Sequence, residues 1–255
     1  LLDQPEDTRD EVSQEPIFPF DDVLEIQDVS FGYNPDSSIV IDNLNLTIAQ
    51  GSRVGFVGTT GGGKSTALDL IMGLLEPTKG KILIDGVELG YDNVRSWQKN
   101  ISHVPQNIYL ADSSFTENIA FGVPLDEINF ELVKKSAEKA QIASFIESKT
   151  DDYETSVGER GILLSGGQRQ RGGIARALYR KASVLVFDEA TSALDNTTEK
   201  AVMDSIITLD ENLTIILIAH RLTTVQNCDM IIEMNHGKVV AKGTYDELMK
   251  ESQSF

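Results

Sequence analysis

A glycine-rich loop between an apolar strand and a helix constrains this chain more than any other feature. Residues 58–65 read GTTGGGKS and fit the pattern G-x-x-x-x-G-K-[ST]. The apolar residues 53–57 lead into the loop, and the helical pattern of residues 65–75 leads out of it. A flexible glycine linker is the alternative, but linkers are not enclosed by a buried-type strand and an apolar helix. The loop therefore predicts a strand–loop–helix unit of an α/β core.

The chemistry of such a loop is the binding of a phosphate chain. Glycine lets the backbone curl so that successive N–H groups point at one anion, and the positive end of the following helix adds to the attraction. Lys64 would reach the terminal phosphates, and the Ser65 hydroxyl would be a ligand of Mg²⁺. The residues predicted to line this nucleotide site are Gly58, Thr59, Thr60, Gly61, Gly62, Gly63, Lys64, Ser65 and Thr66.

A second motif, LSGGQ at residues 164–168, narrows the function further. With ordinary residue frequencies, five specified residues match by chance at a given position on the order of once in a million. Ser165, Gly166 and Gly167 open a helix and form a second anion-binding helix start. One nucleotide does not need two such phosphate-binding segments from the same face of a small domain. Each copy of the protein is therefore expected to contribute its second segment to the nucleotide of a partner copy. The alternative is an ordinary serine N-cap with glycines after it.

From about Asp22 to its end, the chain resembles the nucleotide-binding domain of an ABC transporter, with the motifs in the family's order and spacing. The resemblance implies ATP and Mg²⁺ as ligands and a second copy of the domain as partner. Residues 184–189 resemble the Walker B strand, and residues 192–195 resemble the loop that crosses the dimer interface. By the same resemblance, Tyr33 stacks on adenine, Gln106 touches Mg²⁺ and reports nucleotide state, Ser165 to Gln168 and Asp195 contact the partner's nucleotide, and His220 is the switch histidine.

The residues themselves support three of these roles. Residues 184–187 form a continuous apolar run, which is typical of a strand buried on both faces. Asp188 lies at the carboxyl end of this predicted strand, where open α/β sheets place their ligands. Asp188 would hold Mg²⁺, and Glu189 would be the general base for the attacking water; a solvated acidic turn is the alternative. His220 follows the apolar residues 215–219 and would bond the γ-phosphate, unless it is a structural histidine. Without the resemblance, the sequence around Tyr33 would indicate an aromatic residue of the core.

The pattern of apolar residues predicts an α/β fold: a P-loop NTPase core with a mostly parallel sheet, an antiparallel β subdomain and a helical signature subdomain. Residues 1–21, rich in acidic residues, glutamine and proline, are expected to form a flexible tether. Residues 22–106 and 182–255 would form the nucleotide-binding core, and residues 107–181 the helical subdomain that carries LSGGQ.

Residues 155–161 resemble a segment of ABC exporters that lies next to the coupling helices, although alone they would read as a charged surface turn. The surrounding sequence is most similar to flippases of lipid-linked oligosaccharides. The resemblance implies a transmembrane domain of about six helices, each of roughly 20 residues, in the same full-length polypeptide. This segment would then be a soluble part of an integral membrane transporter, at the cytoplasmic face of the membrane.

Charge and spacing oppose a DNA-maintenance ATPase of the chromosome-condensing type, which shares both motifs. The net charge is −18, which disfavours nucleic acid as a partner. Those proteins also insert a long coiled coil between the motifs, whereas 100 residues separate Ser65 from Ser165 here. A module that binds ATP to dimerise but hardly hydrolyses it is a second alternative, against which Glu189 and His220 count.

Three residues depart from the family's pattern without touching a predicted catalytic group. Gly172 and Gly173 stand where larger apolar residues are common in the family. The helix that begins with LSGGQ is therefore expected to be more mobile, or to pack unusually close to another part of the structure. Thr60 stands where the family often has serine. Cys228 is the only cysteine, which excludes an internal disulfide and suits a reducing compartment.

Overall fold

The computed structural model describes residues 18–34, 38–191, 193–207, 212–219 and 221–251. His220 and residues 1–17 of the predicted tether lie outside the described residues. Among the residues that are described, no helix combines the length and the apolarity needed to cross a membrane.

In chain order, the strands of the described residues are β1 (Val23–Phe31), β2 (Ile41–Ala49), β3 (Arg53–Gly58), β4 (Lys79–Ile84), β5 (Val87–Glu88), β6 (Ile101–Val104), β7 (Val184–Asp188), β8 (Thr214–Ile218), β9 (Met230–Asn235) and β10 (Lys238–Gly243). The α-helices are α1 (Lys64–Ile71), α2 (Val94–Gln98), α3 (Phe115–Ile119), α4 (Phe130–Lys139), α5 (Ala143–Glu147), α6 (Gly166–Tyr179), α7 (Asn196–Ile207), α8 (Leu222–Val225) and α9 (Tyr245–Glu251).

A four-stranded antiparallel sheet has the order β2-β1-β4-β5. Leu24 of β1 lies opposite Ile48 on one side and Ile84 on the other, and all three side chains are buried. Strands β4 and β5 are joined by Asp85 and Gly86, which both take positive φ values of 49° and 79°. Such a pair forms the tight turn whose twist suits a hairpin, and the Asp-Gly dipeptide is a common sequence for it.

A six-stranded sheet has the order β10-β9-β3-β8-β7-β6 and is parallel except for β10, which pairs antiparallel with β9. Together with the antiparallel sheet and the helices, it confirms the predicted α/β fold with a mostly parallel sheet. The carboxyl ends of β3, β6 and β7 lead into the glycine loop, Gln106 and Glu189 respectively. Parallel pairing brings these three chain segments to one edge of the sheet.

The alternation of side chains along the parallel strands divides the interior into two cores. On β7, Leu185 and Phe187 belong to a first core with helices α3 to α6, whereas Val184 and Val186 belong to a second core with α1 and the antiparallel sheet. Strand β7 is therefore apolar on both faces, which explains why residues 184–187 form a continuous apolar run.

Three local features differ from the sequence expectations. Helix α1 ends at Ile71 rather than extending to Leu75, because Gly73 adopts a positive φ of 66°. Phe20 was assigned to the tether, but it is buried and meets Trp97 edge to face at 5.5 Å between ring centroids. Strand β10 was not predicted; it forms a hairpin with β9 through His236 and Gly237, both at positive φ.

Candidate nucleotide-binding site

The glycine loop lies between β3 and α1, as the sequence predicts. Its glycines are used where the backbone requires them: Gly58, Gly61 and Gly63 have φ values of 124°, 76° and 96°. A Cβ on Gly63 would also stand 2.9 Å from Cδ1 of Ile41, so even the space there is too small for a side chain. Gly61, by contrast, has open space where a Cβ would stand. The loop is therefore held by backbone conformation and leaves room on its Gly61 side.

The side chain of Lys64 folds back over this loop. Lys64 is 5% exposed, and its Nζ donates hydrogen bonds to the carbonyl oxygens of Gly58 and Thr59, each at 2.9 Å. Burial lowers the pKa of Lys64, while the nearby carboxylates of Glu189 and Asp188 oppose that shift. The ammonium group is thus a positive charge already held at the loop, where a phosphate chain could exchange with the carbonyl oxygens.

A cavity of about 530 Å³ opens beside the loop. It is lined by Val40, Thr60, Gly61, Gly63, Lys64, Ser65, Thr66, Gln106 and Glu189. Tyr33 stands at its border: its hydroxyl lies 3.2 Å from Oγ1 of Thr66, its ring packs edge to face on Phe31, and 59% of the residue is exposed. This aromatic is therefore not a core residue, and its exposed surface is available for stacking.

Two carboxylates at the carboxyl end of β7, those of Asp188 and Glu189, face the loop. Oγ of Ser65 lies 3.5 Å from Oδ1 of Asp188, and Nε2 of Gln106 donates to Oε2 of Glu189 at 2.6 Å. Glu189 has a φ of 52°, an uncommon conformation for a residue with a side chain and one that concentrates at functional sites. Burial and then the charge of Glu189 raise the pKa of Asp188.

These groups fit a divalent cation bound to a phosphate chain. A hydroxyl and a carboxylate face each other in Ser65 and Asp188, and oxygen ligands of this kind suit Mg²⁺. Because burial and then the charge of Glu189 raise the pKa of Asp188, a cation beside this carboxylate would favour its ionised form. The ammonium group of Lys64 supplies a positive charge for an anion at the loop, and the open side of Gly61 leaves room for it.

The LSGGQ segment starts helix α6. Oγ of Ser165 accepts a hydrogen bond from the backbone N–H of Gln168 at 3.3 Å, and Oε1 of Gln168 accepts one from the N–H of Ser165 at 2.8 Å. This reciprocal pair is a capping box, so the serine N-cap considered as an alternative is present. A hydroxyl that accepts from the cap still has a hydrogen to donate, so capping and anion binding are compatible.

The start of α6 belongs to a cavity different from that of the glycine loop. Gly166 lines a space of about 480 Å³ with Arg169, Gln170, Ala193 and Gln106, together with Asn107, Ile108 and Arg160. None of the described residues 165–168 lines the cavity beside Lys64. The structure therefore brings Lys64, Ser65, Asp188, Glu189 and Gln106 together in one place, with Tyr33 at its border, and leaves LSGGQ outside it.

Asp195 caps the following helix, α7. Its two carboxylate oxygens accept hydrogen bonds from the backbone N–H and the hydroxyl of Thr198, at 3.0 and 2.7 Å. These bonds lower the pKa of Asp195. The loop before it is tied to α6, because the N–H of Ala193 donates to Oε1 of Gln170 at 3.0 Å. Asp195 is exposed, with no described contact to the cavity beside Lys64.

No motif in the sequence pointed to Glu199, a buried glutamate near this loop. Glu199 is 5% exposed and accepts hydrogen bonds from the hydroxyls of Thr191 and Thr224, both at 2.7 Å, and from Nη1 of Arg221 at 3.2 Å. The same Nη1 donates to the carbonyl oxygen of Leu194 at 3.2 Å. Glu199 thus links the Asp195 loop to the residues that directly follow position 220.

The periodicity of α7 carried a signal for this residue. Glu199 shares its spacing with the buried Val202 and Ile206, at i+3 and i+7. A charged residue on the apolar face of a helix needs a partner, and that argument would have singled out Glu199.

Known proteins are similar to this chain over most of its length. The family model for ABC transporters matches residues 41–192. ATP-binding cassette sub-family B member 5 of Mus musculus is 42% identical over 238 residues, which is 91% of this chain and 19% of that protein. The ATP-dependent lipid A-core flippase of Idiomarina loihiensis is 38% identical over 228 residues, which is 89% of this chain and 39% of that protein.

A solved structure of a bacterial Atm1-family ABC exporter with ATP bound is 36% identical and superposes with a TM-score of 0.85, covering 91% of this chain and 41% of that one. The chain thus spans well under half the length of these relatives. The residues covered by the family model include the glycine loop, strand β7 and the LSGGQ helix start. The chain belongs to the ABC transporter family and has the fold of an exporter's nucleotide-binding domain.

Proposed function

We propose that this chain is the ATP-binding and ATP-hydrolysing domain of an ABC exporter, in which ATP drives two copies of the domain together and so powers transport. One observation carries the proposal. Lys64, Ser65, Gln106 and Glu189 line a single cavity of about 530 Å³, while the LSGGQ helix start lies outside it. A second copy that faces the first would bring its own LSGGQ to this cavity and complete the pocket.

The roles proposed for these residues combine their chemistry with the resemblance to the family. The loop N–H groups of residues 58–65 and Lys64 would bind the phosphates, and Tyr33 would stack on adenine. Ser65, Asp188 and Gln106 would hold Mg²⁺, which would neutralise part of the negative charge of the phosphates. Ser165, Gly166, Gly167 and Gln168 of the second copy would bind the same phosphates from the other side, with Asp195 at the interface between the copies.

Glu189 would act as the general base, with His220 beside the γ-phosphate. Oε2 of Glu189 already accepts a hydrogen bond from Gln106, which orients the carboxylate and ties it to the loop that follows β6. A water held by Glu189 would attack the γ-phosphorus in line and displace ADP, and Glu189 would accept the water's proton. Lys64, beside the transferred group, would stabilise the negative charge there.

The wider assignment concerns the polypeptide to which this segment belongs. We infer a transmembrane domain of about six helices of roughly 20 residues each, with this domain at the cytoplasmic face of the membrane. For the transported substrate we propose a lipid-linked oligosaccharide; one relative is named a lipid A-core flippase and another a glucan export protein. ATP turnover by the full-length transporter in vesicles should rise on addition of such a lipid and not on addition of the free sugar.

The test of the proposed function is phosphate release measured against protein concentration. A dimeric enzyme gives a rate per molecule that rises with concentration and then levels off. The variant Glu189→Gln should bind ATP with unchanged affinity, lose turnover by about 100-fold or more, and accumulate as an ATP-loaded dimer in size-exclusion chromatography. Glu131→Gln, at an exposed position on α4, is the matched control and should behave as the wild type.

Two outcomes would contradict the proposal. Turnover by Glu189→Gln at the wild-type rate would remove the general base. Absence of phosphate release by the wild-type chain at every concentration, together with ATP-dependent pairing, would show a dimerisation module instead of an enzyme.

A further inference from the structure

The middle of helix α6 holds two consecutive buried glycines, Gly172 and Gly173. Glycine inside a helix is unfavourable relative to alanine, because it gives up more backbone freedom on folding. Two such residues in the helix that begins with LSGGQ therefore need a reason in what packs against them.

The two glycines have different surroundings. A Cβ on Gly173 would stand 2.6 Å from Cδ1, 2.9 Å from Cγ2 and 3.1 Å from Cγ1 of Ile108. A Cβ on Gly172 would meet only Cδ1 of Leu110, at 3.8 Å, which is ordinary van der Waals contact. The surface of α6 at Gly173 is thus a notch filled by the side chain of Ile108, which we call the Gly173 notch.

Ile108 belongs to the loop that carries Gln106. The side chain of Ile108 packs against the first core, and Nε2 of Gln106, two residues earlier, donates to Oε2 of Glu189 at 2.6 Å. The loop meets α6 a second time one residue further on, where Nη1 of Arg176 donates to the carbonyl oxygen of Tyr109 at 2.8 Å. Two adjacent residues of the Gln106 loop are therefore fixed to one helix.

We propose that Gly173 and Ile108 are positioning residues that couple the Gln106 loop to the LSGGQ helix start. Close-packed side chains transmit displacement because they leave no free volume to absorb it. With Ile108 seated in the Gly173 notch, a movement of Gln106 beside Glu189 displaces α6 and so the helix start offered to the second copy. This inference rests on the proposed function and adds to it the contact that couples the Gln106 side of the pocket to the LSGGQ side.

The test compares three variants of the chain by kcat and KM for ATP and by urea unfolding. Gly173→Ala places a methyl group in the notch and should lower kcat by about threefold or more with KM changed by less than about twofold, because the phosphate loop is untouched. Gly172→Ala, one residue away with room for a methyl, is the matched control and should keep the wild-type kcat. The double variant Gly173→Ala/Ile108→Val, which removes the closest atom of Ile108, should recover most of the lost kcat and stability.

A separate variant covers the case in which Gly173→Ala fails to fold. Ile108→Ala empties the notch without adding an atom, and it should also lower kcat at unchanged KM. Wild-type kcat in both Gly173→Ala and Ile108→Ala, or a double variant in which the losses simply add, would overturn the inference. A wild-type chain that releases no phosphate at any concentration would instead contradict the proposed function, and the unfolding data would then still report whether Ile108 fills the notch.

Discussion

At the scale of single residues, Lys64 illustrates how the protein itself holds a positive charge at the site. Its ammonium group is buried, and two of its three donors are taken by the carbonyl oxygens of Gly58 and Thr59. Burial lowers its pKa, and the carboxylates of Asp188 and Glu189 oppose this shift and keep the charged form favourable. A phosphate bound at the loop could take over these two hydrogen bonds, and it would meet a charge that the protein already holds there.

Replacement of Lys64 by alanine should therefore weaken phosphate binding itself. We expect Lys64→Ala to lower the affinity for ATP by about tenfold or more, which corresponds to about 1.4 kcal/mol. Titration with a fluorescent ATP analogue measures this change. Lys135→Ala, at an exposed position on α4, serves as the control and should bind normally. Unchanged affinity of Lys64→Ala would contradict the role given to the lysine.

Cys228 allows a test of packing at a distance from the site. It is buried where Gly55 of β3 leaves room for it; a Cβ on Gly55 would stand 3.2 Å from Sγ of Cys228. Burial raises the pKa of Cys228 to about 12, from 9.0 in the free thiol. At pH 8 the thiolate is thus depleted on the order of 1000-fold in the folded chain, and the thiolate is the reactive form.

We expect iodoacetamide to modify the native chain very slowly at pH 8, with a rate that rises as the pH approaches 12. Mass spectrometry of samples quenched over time provides the measurement. The same chain in urea should react at the rate of an ordinary cysteine, and Cys228→Ala should show no modification. Rapid labelling of the native protein at pH 8 would mean that Cys228 is not packed against β3 as described.

At the scale of elements, helix α6 combines two tasks at its N-cap residue. Ser165 caps the helix through the acceptor side of its hydroxyl, and the proposed function requires its donor side for the phosphate of the other copy. Aspartate is as good an N-cap as serine, whereas its negative charge repels phosphate. A single substitution can therefore separate the two tasks.

Ser165→Asp should retain the stability of the wild type but lose ATP-dependent pairing. Ser165→Ala should unfold more easily by about 1 kcal/mol, because the cap is lost. Urea unfolding and size-exclusion chromatography with ATP distinguish the two effects, and they are best done in the Glu189→Gln background, where the pair is long-lived. If Ser165→Asp pairs normally with ATP, the helix start has only a capping role.

The elements that could be predicted from the sequence were those whose apolar pattern was long or bounded by clear signals. Strands such as β7 show a continuous apolar run because both cores use them. Helix α1 was overextended, because the apolar residues after Ile71 continue the pattern although Gly73 turns the chain. Strand β10 escaped notice because its burial alternates only between exposed and half-buried positions, so that its apolar signal is weak.

At the scale of the whole molecule, the motifs predicted which residues belong to the site, but not how these residues meet. Parallel pairing of β3, β7 and β6 sets Lys64, Asp188 and Gln106 at one edge of the sheet, as expected from strand order. The hydrogen bond from Gln106 to Glu189 and the fit of Ile108 at Gly173 depend on side-chain packing between distant segments. Such contacts leave no periodic trace in a sequence, and so they could not be predicted.

The division of the pocket between two copies leads to a prediction for mixtures. In a chain with Lys64→Ala the phosphate loop is damaged and the LSGGQ start is intact; in a chain with Ser165→Asp the reverse holds. Neither variant alone should hydrolyse ATP, since every pocket in its dimer contains one damaged half. In a mixed dimer, the intact loop of one chain faces the intact helix start of the other, which restores one pocket, while both defects fall in the second pocket.

Equal amounts of the two variants should therefore regain phosphate release when mixed, with a rate that depends on the concentration of both chains. The matched control mixes Lys64→Ala with Glu189→Gln. Their defects lie in the same half of the pocket, so each pocket of a mixed dimer contains one damaged half and no activity should return. Recovery in the control mixture, or its absence in the first mixture under conditions where the wild type is active, would show that Lys64 and Ser165 do not act on the same nucleotide from opposite copies.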